Sequence, residues 1–235
     1  MSAYRSRLMA VAGHDLRQPL QVVSMVLDRV QLQVTDPALR GRVELAQKSI
    51  DTLSEGLDSL AKASRLDDDL GEPRRERFPV REMFQAVLET WSPQAEEKGL
   101  DLRVVGCSML VESDRGMLTS IVSNLVGNAI KYTDKGAVLL GCRRRGNKLA
   151  IEVVDTGIGM TPAWLDHAFE PFRQLDRTKD GLGLGLTIVR RTADLLGHAV
   201  RVDSVLGKGS RFAVEVPLAA VSPASLEREG VAGMV

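Results

Sequence analysis

From Leu39 to Leu60 the apolar residues step along the chain by fours and threes: Leu39, Val43, Ala46, Ile50, Leu53, Leu57 and Leu60. A seam sustained in this way marks a helix that buries one stripe against another helix, in a bundle or a coiled coil. A looser seam precedes it, through Met9, Ala12, Leu16, Val23, Val26 and Val30. Between the two, Thr35-Asp36-Pro37 offers an N-cap followed by proline at the first helical position. So short a connection predicts an antiparallel hairpin over residues 1–66. Two helices of this length cannot bury both apolar faces alone, and a dimer closing a four-helix bundle is the simple remedy.

The pattern changes after residue 66. Residues 67–77, with Asp67-Asp68-Asp69, Gly71, Pro73 and a run of arginines, are charged and rich in breakers, which predicts a linker. From Phe78 the periodicities mix. Helices are expected near 80–98, 115–132 and 183–196, and strands near 101–106, 109–112, 137–145, 148–154, 199–205 and 210–217. Gly146-Asn147 is the turn of a hairpin. The expected fold class is α+β: a helical hairpin, then an α/β domain over 78–218, with 219–235 as a tail.

Charge excludes some functions. The 31 basic and 31 acidic residues balance, whereas a nucleic-acid binder shows a basic surplus. The local run Arg143-Arg144-Arg145 reads as a solvated hairpin strand. Cys107 and Cys142 lack metal-ligand spacing and read as reduced structural thiols, which with the lack of a signal peptide suits the cytoplasm. No apolar run approaches a membrane span, so a membrane sensor would lie outside this stretch of chain.

Four segments of the second domain carry chemistry. On the expected helix 115–132, Asn124, Asn128 and Lys131 fall on one face and Leu118, Val122, Leu125 and Ala129 on the other. An asparagine oxygen is a hard ligand for magnesium, and lysine is a point charge for phosphate. Asp155-Thr-Gly157-Ile-Gly159 ends an apolar strand. A buried carboxylate there can accept the amine of adenine while the glycines let the base approach the backbone. Gly181-Leu-Gly183-Leu184-Gly185 opens a helix, whose free amides suit phosphate. Its G-x-G-x-G spacing is neither a Rossmann fingerprint nor a P-loop. Gly207-Lys-Gly209-Ser210 introduces the last strand.

In this order and on these elements, the segments resemble the histidine-kinase branch of the ATPase superfamily shared with DNA gyrase and the heat-shock chaperone ATPases. Asn124 to Tyr132 resembles its N box, Asp155 to Gly159 its G1 box, Phe169-Glu-Pro-Phe172 its F box, Gly181 to Gly185 its G2 box and Gly207 to Ser210 its G3 box. The resemblance implies a Bergerat-type α/β sandwich that holds ATP under a lid between Phe172 and Gly181. It implies that Asp155 reads adenine, that Asn128, with Asn124 beside it, holds magnesium, and that Lys131 and Tyr132 meet the phosphates or sugar. Ser210 would support the adenine end, and Arg173, Arg177 and Lys179 are phosphate candidates on the lid.

On the first helix, His14-Asp15-Leu16-Arg17-Gln18-Pro19-Leu20 lies off the apolar seam. Imidazole is a nucleophile near neutral pH, and the neighbouring carboxylate can orient one nitrogen so that the other attacks. The segment resembles the H box of sensor kinases, with Gln18 where threonine or asparagine is usual; that departure puts a phosphatase activity in doubt. The resemblance implies that His14 takes the γ-phosphoryl group of ATP and donates it to an aspartate of a separate response-regulator receiver domain. His167 and His198 lack such neighbours and read as structural or surface residues. Three rivals differ in class. A gyrase-like ATP-hydrolysing clamp would carry a water-activating Glu where Asn124 stands. A non-catalytic ATP-binding scaffold would show decayed glycines, and a nucleic-acid-binding helix pair would show a basic surplus.

Overall fold

The computed structural model describes residues 19–47, 49–50, 54, 73–171, 173–175 and 183–219. Helices α1 (19–33) and α2 (37–47) make the hairpin. The Asp36 carboxylate accepts the Ala38 amide at 2.8 Å, so Asp36 caps α2 and Pro37 opens it. Gln47 Nε2 donates to Ser24 Oγ at 2.7 Å. These two residues stand at equal distances from the turn, which makes the pair antiparallel. Leu20, Ser24 and Leu27 of α1 are half-buried, as are Val43 and Ala46 of α2 and Ile50 beyond it. The anticipated seam of α1 is not what meets α2: Val23, Val26 and Val30 are exposed, as are Val22 and Met25.

The second unit begins earlier than expected. Strand β1 (Glu76–Pro79) takes in the end of the anticipated linker and pairs antiparallel with β3 (Leu110–Ser113). Phe78 is the residue that anchors it, fully buried opposite Val111. Helix α3 (Val80–Glu97) follows, turning its Val80, Met83, Phe84, Val87 and Ala95 stripe inward. Then β2 (Asp101–Val104), β3, and α4 (Arg115–Tyr132) lead into the hairpin of β4 (Ala137–Arg145) and β5 (Lys148–Asp155). A short helix, α5 (Pro162–Leu165), precedes α6 (Gly185–Leu196), β6 (Ala199–Val205) and β7 (Gly209–Pro217).

Five strands form one sheet in the order β2-β4-β5-β7-β6. The β2–β4 pair is parallel and the rest antiparallel. Helices α3, α4 and α6 pack over one face. Alternation along β5 and β7 sends Leu149, Ile151, Val153, Phe212, Val214 and Val216 into the core beneath them. The opposite face carries charged ladders such as Arg201–Glu215 and Arg211–Asp203.

Helix α4 is fixed at both ends. Asp114 caps it by accepting the Met117 amide at 2.9 Å. At the other end Lys98 Nζ donates to three carbonyls, of Ile130 at 2.7 Å and of Lys131 and Thr133 at 3.0 Å. A cation there offsets the negative end of the helix and satisfies carbonyls left without an intrahelical partner.

The two cysteines are not free thiols: Cys107 and Cys142 are joined in a disulfide. Parallel pairing explains it. Val104 stands opposite Leu140, and the Val105 amide donates to the Leu140 carbonyl at 2.9 Å. The chain leaving β2 therefore runs beside β4 and brings Cys107 to Cys142. That neighbourhood is invisible to a search for short cysteine spacings.

Candidate functional site

A cavity of about 410 Å³ opens between α4, the end of β5 and the start of α6. The amphipathic turn of α4 supplies one wall. With Leu118, Val122, Leu125 and Ala129 buried, Asn124, Asn128, Lys131 and Tyr132 are left to face the cavity. Asn124 Nδ2 is held by the Ser120 carbonyl at 2.8 Å. A Cβ on Gly185 would lie 3.5 Å from Asn124 Oδ1, and 3.3 and 3.5 Å from Asn128 Nδ2 and Oδ1. The start of α6 thus looks onto both amides, and no side chain caps it. Helix amides, two side-chain amides and a lysine converge where an anion would sit.

The other end is built on the sheet. Asp155 closes β5, is 7% exposed and lines the cavity. One of its carboxylate oxygens accepts the amides of Gly157 at 2.8 Å and Ser210 at 3.2 Å. Burial pushes the carboxyl above its ordinary range, and these two amides oppose the shift. Ser210 stands opposite Asp155 in the β5–β7 register, and its hydroxyl shares a hydrogen bond with Ser204 at 2.9 Å. Ser204 Oγ also accepts the Met160 amide, and the Gly207 amide donates to the Ile158 carbonyl. Gly159, Ile158 and Met160 are thereby stitched to the β6–β7 turn. Gly159 has φ +62°, and a Cβ there would collide with the Val205 carbonyl.

Gly183, Leu184, Gly185 and Arg173 complete the lining among the anticipated residues. Gly183 has φ +72°, and a Cβ on it would lie 2.5 Å from the Arg173 carbonyl oxygen, so the backbones at 173 and 183 are pressed together. Two anticipated residues stand back from the cavity. Gly157 supports Asp155 from behind, and the Phe169 ring packs in the core beneath the Arg190 guanidinium, 4.4 Å from its centroid. His14, Asp15, Gln18, Phe172, Arg177 and Lys179 lie outside the described residues.

Residues 113–220 match the family model of the histidine kinase-, DNA gyrase B- and HSP90-like ATPases. Similarity to known proteins reaches beyond that domain. The autoinducer 2 sensor kinase/phosphatase LuxQ of Vibrio cholerae is 32% identical over 91% of this chain and 26% of its own length. The histidine protein kinase DivJ of Caulobacter vibrioides is 32% identical over 93% of this chain and 38% of its own. Among solved structures, full-length ShkA in complex with AMPPNP superimposes with a TM-score of 0.74 at 30% identity, over 92% of this chain and 46% of that one. Over nearly its whole length the chain is similar to sensor histidine kinases.

It spans between a quarter and two fifths of the length of these two curated relatives. Residues 113–220 form the ATPase-type domain of the matched family model. The donors present suit magnesium. Two amide oxygens beside a phosphate site resemble the sparse oxygen set that magnesium takes when phosphates and water supply the rest. Among the described residues no cluster of His, Cys, Asp or Glu forms an all-protein metal cage. No described helix is long and apolar enough to cross a membrane.

Several residues lining the cavity were not anticipated from sequence. Ile158 and Met160 could have been found, since they sit inside and beside the G1 segment. Trp164 lies on α5, a helix too short for periodicity to reveal. Trp91 and Gln94 reach the cavity from α3, which carried no motif at all.

Proposed function

We propose that this chain is the autokinase unit of a two-component sensor: a dimer that phosphorylates His14 from ATP and passes the phosphoryl group to an aspartate of a response-regulator receiver domain. The observation that carries the reading is the joint placement of Asp155, Asn128 and the uncapped start of α6 around one cavity. The carboxylate oxygen of Asp155 left by the Gly157 and Ser210 amides accepts the exocyclic amine of adenine. Lys131, Tyr132 and the amides of α6 take the phosphates, with Arg173 at the rim. Asn128, assisted by Asn124, holds magnesium, which screens charge on the phosphate oxygens.

With the nucleotide held, the His14 ring nitrogen attacks the γ-phosphorus in line. The bond to the β–γ bridging oxygen breaks, ADP leaves, and Asp15 takes or orients the ring proton. Positioning and charge neutralisation are the main needs of such a transfer. No carboxylate stands at position 124 to activate water, which supports transfer over hydrolysis. The apolar face of α1 that remains exposed (Val22, Val23, Met25, Val26) supports a second hairpin packing there to close a four-helix bundle.

Incubation with γ-labelled ATP tests the reading. Wild type should incorporate label that is lost in acid and survives base, as a phosphoramidate does. His14→Gln should incorporate none while binding AMPPNP within twofold of wild type. Acid-stable label on serine or threonine, or undiminished label in His14→Gln, would overturn it.

A further inference from the structure

Helix α4 lacks a side chain at Gly127, between the two asparagines that face the cavity, and α3 fills the gap. A Cβ at Gly127 would lie 2.5 and 2.6 Å from two atoms of the Trp91 ring. The indole therefore lies directly on the helix backbone. Its Nε1 donates to Ser123 Oγ at 2.8 Å, which fixes the ring plane. Trp91 is half-buried, and it lines the cavity together with Gln94, one turn further along α3.

The position of this wall along the site follows from helix geometry. The Ile158 amide donates to the Tyr132 carbonyl, so the C-terminal end of α4 meets the Asp155 end of the cavity. Asn124 is eight residues earlier, which at the rise of an α-helix is about 12 Å along the axis. Gly127 and Ser123, on which Trp91 rests, therefore lie toward the far end. A nucleotide with its base at Asp155 lays its phosphates along α4, so the last of them comes nearest the indole.

We propose that Trp91 is a positioning residue for the terminal phosphate, and that the Gly127–Ser123 seat exists to hold it there. The proposal rests on the ATP reading above. A flat apolar wall excludes water from one side of the γ-phosphoryl group and strengthens its bonds to the α6 amides. The β-phosphate, nearer Tyr132, does not need it. Discrimination between triphosphate and diphosphate is thus assigned to α3, an element outside the five sequence boxes.

The test is the ratio of AMPPNP to ADP affinity, each with magnesium, by calorimetry on the full chain. Trp91→Ala opens the wall. Gly127→Ala displaces the indole with its own Cβ, and it adds nothing larger than a methyl group to the stretch of cavity wall that Gly127 already forms. Both should lose about tenfold in AMPPNP affinity, the scale of one hydrogen bond to a charged group re-exposed to water. ADP affinity should stay within twofold, and Trp91→Phe should recover most of the ratio. In a Trp164→Phe background Trp91 is the remaining tryptophan, and its emission should shift with AMPPNP more than with ADP. An unchanged ratio in both alanine variants, or equal losses for the two nucleotides, would overturn the wall and leave the ATP site standing. Wild type that binds neither nucleotide would overturn the ATP reading and the wall with it. If Trp91→Ala unfolds, Gly127→Ala and Trp91→Phe decide by the same ratio.

Discussion

At the scale of the residue, burial decides what each titratable group can do. Asp155 keeps its carboxylate in use because two amides hold it in place. His198, 4% exposed, keeps a neutral ring instead. Its Nε2 bonds Ser113 Oγ at 2.8 Å, while burial first, and then the Arg75 guanidinium, bring its pKa from 6.5 down to about 4. The sign follows directly. The unfolded chain takes a proton near pH 6.5 and the folded one only near 4, so this contribution to stability is whole above 6.5 and drains away as pH falls toward 4. The shift corresponds to about 3 kcal/mol at most. Thermal melts of wild type should fall between pH 7.5 and 4.5 more steeply than those of His198→Gln, and parallel curves would remove His198 from the acid sensitivity. From sequence His198 reads as a structural or a surface residue, with no sign of its burial. The groups that act on it are the Ser113 hydroxyl on β3 and the charge of Arg75 ahead of β1, residues far away in the chain.

Among the elements, α4 matters most, since it carries the asparagine face. Its two asparagines were legible because one 3.6-residue period sorts both faces at once. Its anchoring was not, because Lys98 is an ordinary charged residue until the end of α3 is placed beside the end of α4. Replacing it by methionine keeps the aliphatic stem and removes the donor to three carbonyls. That should cost about 1–3 kcal/mol in denaturant melts, with AMPPNP affinity reduced because the Lys131–Thr133 turn loosens. A loss under about 0.5 kcal/mol would show that water replaces the ammonium without penalty. Strand β1 escaped the sequence reading for another reason. It is four residues long and half charged, and its one core residue, Phe78, pairs with a strand more than thirty positions away.

For the whole molecule, connectivity sets what can be read in advance. Antiparallel neighbours β4 and β5 announce themselves through a two-residue turn. The parallel β2–β4 pair does not, and neither does the disulfide that crosses it. Joining residues 35 apart in sequence restricts the unfolded chain by about 4 kcal/mol on a chain-entropy account. Cys142→Ser, or wild type kept in excess dithiothreitol, should therefore melt several degrees lower while still binding AMPPNP, whose site lies at the opposite end of β4. Equal melting with and without reductant would mean that the linkage leaves stability untouched.

The pinch between the backbones of Arg173 and Gly183 bears on how such a chain can change over generations. A segment whose two ends are held together from outside is free in length. Lengthening a loop closed in this way costs only about 0.6 kcal/mol per doubling, and neither wall of the pocket has to move. Insertions and deletions between these two positions are thus nearly neutral for the fold, while a single methyl group at Gly183 is not. Related chains should vary in length there and agree on the glycine.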